Sequence, residues 1–590
     1  MKLSDYVAQF IAAQGIRHVF ALSGGGSMHL IDSLAKTKGT TYICPMHEQA
    51  AAYAADGYAR VSGGLGCAVA TNGPGGMNLL TGIAGAWYDS LPVLFITGNL
   101  PIARQVGNTG VRKIGQSETD IVSMAKSVTK YAIMVRDPVR IRYELEKAVV
   151  IAQTPRGGPV LVDIPGDIQR AEIDPAALLG YSEQPIFETP PEGKMFACLQ
   201  ALMQAKRPVL IYGWGIHLAR AEHEAAALAE QLNVPVVPTF AARDLVPHDH
   251  PLCVGAFGTH GTRAGNFTVQ NADFILAIGT RLDTKETGTP ASGFARGAKI
   301  VMVDIDGHEL RKLAPLGVKL HLGIECDLRV FLRYFLMDIP SQWELPDFSA
   351  WRERVAKWKV RYPVVLPAHS EETIVNPYWF VKQLSDLCHE DDIIICDTGC
   401  TLIWTMQAFE FKAGQRFFHA FNNNPMGYGL PAAIGAAFAK PGQRIIYVAS
   451  DGSLAMSVHE LATVVRHNLP IKIFLLNNRG YGIVQQSQEA WLGADKAQYH
   501  ATSVKGGLAF PDFVAVARVY GWAVDCAIAN YQVAPKIAVA LVNEGPRFLS
   551  LEIGTKHRIS PLVRSGRPNE DADPLLSREE LAENMIVPSP

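Results

Sequence analysis

The stretch RIIYVASDGSLAMSVHELATVVRHNLPIKIFLLNNRGYG (444–482) carries the residues best suited to chemistry. Asp451 offers a carboxylate, Asn478 a side-chain carbonyl and Gly480 a backbone carbonyl. Together they form a hard oxygen set with too few ligands to cage an ion alone, which suits Mg²⁺ that also bridges to the phosphates of a substrate or cofactor. Gly452 lets the backbone approach such phosphates, and Ser453 opens a helix whose positive end favours an anion. A bare Asp-Gly pair is more often a helix cap in a turn. The full crossover, the second strand and the Asn-Asn-x-Gly turn that follow are what point this one toward a metal.

The elements that must position these groups are legible. RIIYVA reads as a strand, SDGS as a tight turn and MSVHELATVVRHN as a helix with Val458, Leu461, Val464 and Val465 on one side; IKIFLL is the next strand. Such a βαβ unit has parallel strands that end on the same edge of the sheet, so Asp451 and Asn478 meet there although 27 residues separate them.

The same alternation runs through the chain. Ser4 and Asp5 can cap a first helix with Val7, Phe10 and Ile11 on its apolar face. Strand-like runs follow at 18–22, 42–45, 67–71, 93–97 and 160–165, again at 207–215, 234–240, 274–281 and 300–306, and again at 392–399 and 548–554. Short strands alternating with helices predict an α/β fold of three doubly wound parallel-sheet domains, at 1–175, 190–340 and 371–555. The Pro- and Gly-bearing segment 171–193 reads as a linker and 341–370 as a second connector. Residues 556–590 read as a polar tail. Glycine-rich segments sit after the strands, where doubly wound sheets bind ligands.

Composition removes several classes. With 590 residues, 48% apolar, and a net charge of −2, the chain can bury several cores and has no electrostatic reason to seek nucleic acid or anionic lipid. No run of 18 apolar residues occurs and the first ten residues carry an acid, so neither a membrane span nor a secretory signal is expected. Nine cysteines without a CxxC pair fit a reducing, cytoplasmic setting.

Asp451-Gly452-Ser453 with Asn477-Asn478 and Gly480 resembles the thiamine diphosphate motif of the pyruvate decarboxylase and acetolactate synthase family, with Ser450 in place of the usual first glycine. CPMHEQAAAYAADGYAR (44–60), TNGPGGMNLLTGIAGAWYDSLPVLFITGN (71–99), FGTHGTRAGNF (257–267) and NPMGYGLPAAIGAAFA (424–439) are similar to acetolactate synthase segments in order and spacing. The resemblance implies a pyrimidine-binding domain (1–175), a central FAD- or ADP-binding-like domain (190–340) and a diphosphate-binding domain (371–555). It implies that Glu48 is the catalytic glutamate: a carboxyl against N1′ of the aminopyrimidine favours the imino tautomer, whose 4′-nitrogen can take the C2 proton of the thiazolium. Residue composition alone would make Glu48 an acid opening a helix. Met426 matches the bulky residue that keeps the cofactor bent, with Ile483 on the other side. Carried over in the same way as cofactor contacts are Gly25, Pro74, Asn78, Gly399, Cys400, Thr401, Gly452, Ser453, Tyr481 and Gly482; Asp451, Asn478 and Gly480 hold the metal. In the family the glutamate and the diphosphate motif of one site come from different subunits, which implies a homodimer or homotetramer.

The pattern breaks at the substrate. In IGQSETD (114–120), Gln116 and Ser117 stand at the family's Phe and Gln positions, with Gln116 expected at the reacting groups; Ser487 stands where a tryptophan usually narrows the acceptor site, and Thr401 replaces a Gln-His pair. A wider, more polar pocket implies a larger carbonyl acceptor, such as a keto sugar. The flavin-binding positions of the family fall on Gly213, Gly215, Thr239, Gly258, His260, Gly261, Thr262, Arg281 and Asp304, with Lys285 in place of an Arg, so the charge stays but the bidentate fork is lost. The expected activity is a thiamine diphosphate- and Mg²⁺-dependent decarboxylase-carboligase acting on pyruvate or a related 2-keto acid. The alternatives are an FAD-linked oxidoreductase of the pyruvate oxidase type, a 2-hydroxyacyl-CoA lyase, and a binding protein on a dead enzyme; joint retention of Glu48, Asp451, Asn478 and Gly480 speaks against the last.

Overall fold

A computed structural model describes residues 1–183, 190–338, 345–494 and 497–589. Three parallel sheets lie in sequence. The first contains β1 (His18–Ala21), β2 (Thr41–Ile43), β3 (Gly66–Ala70), β4 (Val93–Asn99), β5 (Tyr131–Met134) and β6 (Val160–Pro165), in the order β2-β1-β3-β4-β6-β5. The second contains β7 (Pro208–Tyr212), β8 (Val236–Pro238), β9 (Phe274–Ile278), β10 (Lys299–Asp304) and β11 (Leu320–Glu325), in the order β11-β10-β9-β7-β8. The third contains β12 (Ile393–Cys396), β13 (Arg416–Phe418), β14 (Ile445–Ser450), β15 (Ile471–Asn477), β16 (Ala523–Ala527) and β17 (Arg547–Glu552), in the order β13-β12-β14-β15-β17-β16. The central strands are mostly apolar and buried along their whole length, as helix-covered parallel strands must be. The expected fold class is the observed one. Among the described residues no helix is long and apolar enough to cross a membrane.

One helix pair joins the first domain to the third. The helix Glu48–Ser62 is rich in alanine; His47 caps it by accepting the Gln49 N–H at 3.1 Å, and Gly63 ends it at φ 65°. It packs on the likewise alanine-rich helix Gly429–Ala439. The backbones approach so closely that a Cβ on Gly435 would lie 1.9 Å from the Ala54 carbonyl oxygen. A buried ion cluster stands beside this contact: Arg60 Nε donates to Asp56 Oδ1 at 2.7 Å and its Nη2 to Asp89, while the Tyr428 hydroxyl of the third domain donates to Asp56.

Two readings of local structure are corrected, and the connector and the tail gain detail. The first helix runs Leu3–Ala13 with Lys2, not Ser4 or Asp5, as its N-cap. The chain is fixed there by the Leu3 N–H on the Ala171 carbonyl, and Ser4 and Asp5 bind Ser33 instead. SDGS is not a turn: the helix begins at Asp451, directly after β14, and the crossover breaks into Asp451–Ser457, a tighter turn Val458–Glu460, and Leu461–Arg466. That break brings Glu460 under the Met46 N–H, which it accepts at 2.8 Å. The second connector holds a helix, Ser349–Arg361, that buries Trp351 and Trp358 against the central domain, with Trp351 Nε1 donating to the Pro208 carbonyl at 3.1 Å; residues 341–344 of that connector and 184–189 of the linker lie outside the described residues. The tail is ordered through 589 and straps the central domain: buried Glu570 pairs with Arg296 at 2.7 Å, and Asn271 is held by Asn584, Ile586 and Val587.

Candidate functional site

The carboxyl edge of the third sheet gathers the oxygen set. β14 and β15 are adjacent and parallel, with Ser450 opposite Leu476, so Asp451 and Asn478 emerge side by side. Asp451 Oδ2 accepts the Asn478 N–H at 3.1 Å. Burial pushes its carboxyl up to about 7, against the pull of backbone N–H groups from Gly452, Arg479, Gly480 and Asn478. As placed, Asn478 Oδ1 faces Asp451 Oδ2 at 3.1 Å and the Gly480 carbonyl oxygen at 2.8 Å; rotating the amide would turn the same contacts into hydrogen bonds from its NH₂. Among the described residues no group of three or more His, Cys, Asp or Glu side chains gathers for a metal, so a cation would depend on these amide and backbone oxygens.

Beside the oxygens lies a close-walled cradle. A Cβ on Gly452 would meet the Tyr481 ring at 2.3 Å and Met426 Cε at 3.1 Å, so only glycine fits between them. The Ser453 hydroxyl is fully buried and accepts the Gly427 N–H at 2.7 Å. It therefore holds the Met426 loop, leaving the helix N-terminus itself to face an anion. A Cβ on Gly482 would lie 3.2 Å from Cys400 Sγ and one on Gly399 3.6 Å from Ile483, and Thr401 is buried in the helix Cys400–Ala408. Asp397 was not foreseen: it accepts from the Tyr447 hydroxyl at 2.5 Å, from Ser450 N at 3.0 Å and from Gly429 N at 3.3 Å, tying the end of β14 to the start of the helix Gly429–Ala439.

Glu48 sits elsewhere, at the edge of the first sheet. Its Oε2 accepts from Asn78 Nδ2 at 3.0 Å, and a Cβ on Gly75 would lie 3.3 Å from Oε1. Pro74 opens the helix Pro74–Tyr88 that carries Asn78; Gly25 and Gln116 are exposed on the same edge. Ser487 is exposed on the helix Gly482–Leu492, its hydroxyl turned back onto the Ile483 carbonyl at 2.9 Å.

A cavity of about 730 Å³ runs between the three domains, from Asp304, Ile305 and Leu328 to Gly399 and Ile483. Of the flavin positions named from sequence, Gly215, Thr239, His260, Arg281 and Asp304 line it. Gly213, Gly258, Gly261 and Thr262 do not. Gly213 packs on the Gly279–Thr280 backbone, Gly258 on Lys285 and Gly261 on Phe257, while Thr262 caps the helix Arg263–Gln270. Lys285, read from sequence as standing at a flavin-site Arg position, lines it too, and the walls add Arg60, Arg156, Trp214, Arg220, Glu286, Arg329 and Arg416, which sequence reasoning passed over. The arginines come from all three domains, so no local pattern announces them. Burial keeps His260 neutral, pushed down to about 4, and raises Asp304 to about 6 and Glu286 to about 8. Trp214 Nε1 and Arg329 Nε are buried without a partner at this wall. An arginine-rich cavity with orphaned donors suits an anionic ligand.

Three parallel α/β domains, with a carboxylate edge on the first and an oxygen-lined cradle on the third, define a multidomain enzyme assembled around a cofactor. Matching family models give it a name: the thiamine pyrophosphate enzyme N-terminal TPP binding domain over residues 1–124, the central domain over 196–335 and the C-terminal TPP binding domain over 397–551. The chain is 33% identical to the probable acetolactate synthase large subunit of Methanocaldococcus jannaschii, over 98% of this chain and 96% of that one. It is 32% identical to the probable chloroplastic acetolactate synthase 2 of Oryza sativa subsp. japonica (97% and 86% covered) and 32% identical to the chloroplastic acetolactate synthase 2 of Nicotiana tabacum (97% and 85%). The chain belongs to the thiamine pyrophosphate (thiamine diphosphate) enzyme family, and it is an enzyme that makes or breaks carbon–carbon bonds.

Proposed function

We propose that this enzyme decarboxylates pyruvate or a related 2-keto acid and transfers the acyl unit to a carbonyl acceptor, with Mg²⁺ anchoring the cofactor. The observation that carries the reading is the pairing of β14 with β15, which brings Asp451, Asn478 and Gly480 to one sheet end beside the Met426–Tyr481 cradle. When bound, thiamine diphosphate supplies a nucleophilic carbon and an electron sink. The protein's share is placement. Asp451, Asn478 and Gly480 would hold the cation, the N-terminus of the helix Asp451–Ser457 would favour the diphosphate, and Met426 and Ile483 would wall the cofactor. Glu48 serves as the proton-holding group at the pyrimidine. Its carboxylate bonds within its own domain and does not line the cavity that reaches Gly399 and Ile483, which supports a dimer or tetramer in which one subunit's Glu48 serves its neighbour's cradle.

The central cavity supports FAD as a second cofactor, with Arg156, Arg281 and Arg329 near the Asp304 end for its phosphates and ribose. Exposed Gln116 and Ser487 favour an acceptor larger than a 2-keto acid, such as a keto sugar. The test incubates enzyme, thiamine diphosphate and Mg²⁺ with a panel of 2-keto acids and carbonyl acceptors and reads products by mass spectrometry; CO₂ release with no coupled product from any pair refutes the carboligase reading. Because the cavity reaches Ile483, a flavin-linked pyruvate oxidase is the second reading, and reduction of a dye by pyruvate decides for it. Cleavage of a 2-hydroxyacyl-CoA to an aldehyde and formyl-CoA would decide for the lyase.

A further inference from the structure

The substrate-facing edge of the first domain is built from three loops that are not neighbours in sequence. Gly26 N donates to Thr71 Oγ1 at 3.0 Å, the Thr71 hydroxyl donates to Asn72 Oδ1 at 3.0 Å, and Asn72 Nδ2 donates to the Ser117 carbonyl at 2.9 Å and the Gln116 carbonyl at 3.4 Å. The relay ends at a strained point of the backbone: Ser117 has φ 57°, in the left-handed region. It also passes beside Glu48, because a Cβ on Gly75 would touch both Thr71 Cγ2 at 2.8 Å and Glu48 Oε1 at 3.3 Å.

The loop that Asn72 holds is folded on its own account. The Glu118 carboxylate accepts the N–H groups of Val106, Ile114 and Gly115, the last two at 2.9 and 3.2 Å. Burial works against the charge, but these donors outweigh it and hold Glu118 below the ordinary carboxylate range. Glu118 thus closes the 106–118 loop as a unit, and the Asn72 amide docks that unit to the sheet edge beside Glu48.

We propose that Asn72 is a positioning residue that sets acceptor selectivity, by fixing the Gln116–Ser117 backbone against the glycine-rich loop at Gly26. Its amide has one acceptor and one donor side, and the relay uses both, so neither aspartate nor alanine can replace it. Aspartate keeps the acceptor for Thr71 but turns an anionic oxygen toward two carbonyls; alanine removes both sides without adding charge. The consequence for acceptors rests on the carboligase reading, whereas the docking itself does not.

The experiment compares wild type, Asn72→Asp and Asn72→Ala as holoenzymes with thiamine diphosphate and Mg²⁺. Amide hydrogen exchange over residues 104–118 reads the docking, and steady-state kinetics with saturating keto acid reads the acceptor. Both variants should exchange faster at Val106, Ile114 and Gly115. Both should raise acceptor KM about three- to tenfold, the range one lost hydrogen bond spans, while thiamine diphosphate affinity and C2 proton exchange change less than about twofold. Unchanged exchange over 104–118 in both variants overturns the docking role, and faster exchange with an unmoved acceptor KM and acceptor profile overturns the selectivity role. If wild type couples no acceptor, the functional reading fails, and the exchange measurement still decides whether Asn72 holds the loop.

Discussion

Asn478 gives its backbone N–H to Asp451 Oδ2 at 3.1 Å, across 27 residues of chain and two adjacent parallel strands. The bond keeps the carboxylate's position set before any cation arrives. Asp451→Ala removes the one charged ligand of the oxygen set. Thiamine diphosphate affinity in Mg²⁺ should fall by at least the roughly 10–100-fold that even an outer-shell partner costs. Isothermal titration with Mg²⁺ and then with EDTA checks this; equal wild-type affinity in the two would remove the metal from the site.

Glu48 lies at the start of its helix, anchored by Asn78 at 3.0 Å, with no cationic partner among the described residues. Glu48→Gln keeps the shape and the bond to Asn78 Nδ2 but cannot hold the pyrimidine proton. Deuterium exchange at C2 of bound cofactor should slow by roughly 10²–10⁴, the range of a general acid–base group. A rate close to wild type would mean that another group activates the cofactor.

Arg60 has no exposed side-chain surface and serves two carboxylates, Asp56 and Asp89, while its guanidinium lies 5.2 Å from the Trp214 ring centroid. Truncation leaves two buried acids facing Tyr428 and Asn422 without their cation. Arg60→Leu should lower unfolding stability by about 3–5 kcal/mol, read from urea denaturation of the apoprotein. A loss below about 1 kcal/mol would class the cluster with surface pairs.

Glu460 is fully buried, and burial raises its carboxyl to about 7 although Thr463 and the Met46 and His47 amides favour the ionised form. The folded state therefore binds more protons than the unfolded chain between the ordinary carboxyl value, about 4.3, and about 7. Its stabilising contribution is complete below that window and is lost as pH rises through it. Wild type should lose ground against Glu460→Gln from pH 5 to pH 7 and then run parallel to it. Denaturation midpoints at unit pH steps check this, and parallel curves throughout would show that Glu460 titrates normally.

Ser487 is exposed, one helical turn beyond Ile483. Ser487→Trp places an indole over that face and should narrow the acceptor range, with small carbonyl acceptors retained and the largest lost. Product profiling against the same acceptor panel reads it, and an unaltered profile would put the acceptor on another face.

The sequence by itself determined the periodic elements and the pairing edge. Apolar runs such as Ile471–Asn477 and the intervening crossover dictate parallel neighbours, and parallel neighbours dictate that Asp451 and Asn478 share an end. The alanine-rich helix opening at Glu48 was equally local. What only the tertiary structure decided depends on contacts between segments far apart in the chain. Whether a glycine lines the cavity or packs a turn depends on what crosses it: Gly215 reaches the wall, while Gly213, two residues earlier, is pressed on Gly279 and Thr280. Nothing local in the tail shows where it packs, because its polar residues find partners far away in the chain: Glu570 meets Arg296, Asn584 meets Trp358 and Arg558 meets Glu489. The cavity's arginines and the Gly26–Thr71–Asn72–Ser117 relay were invisible for the same reason. A side chain's type and its place in a helix or strand are fixed by neighbours a few residues away, whereas its partner is fixed by the order in which strands and domains pack.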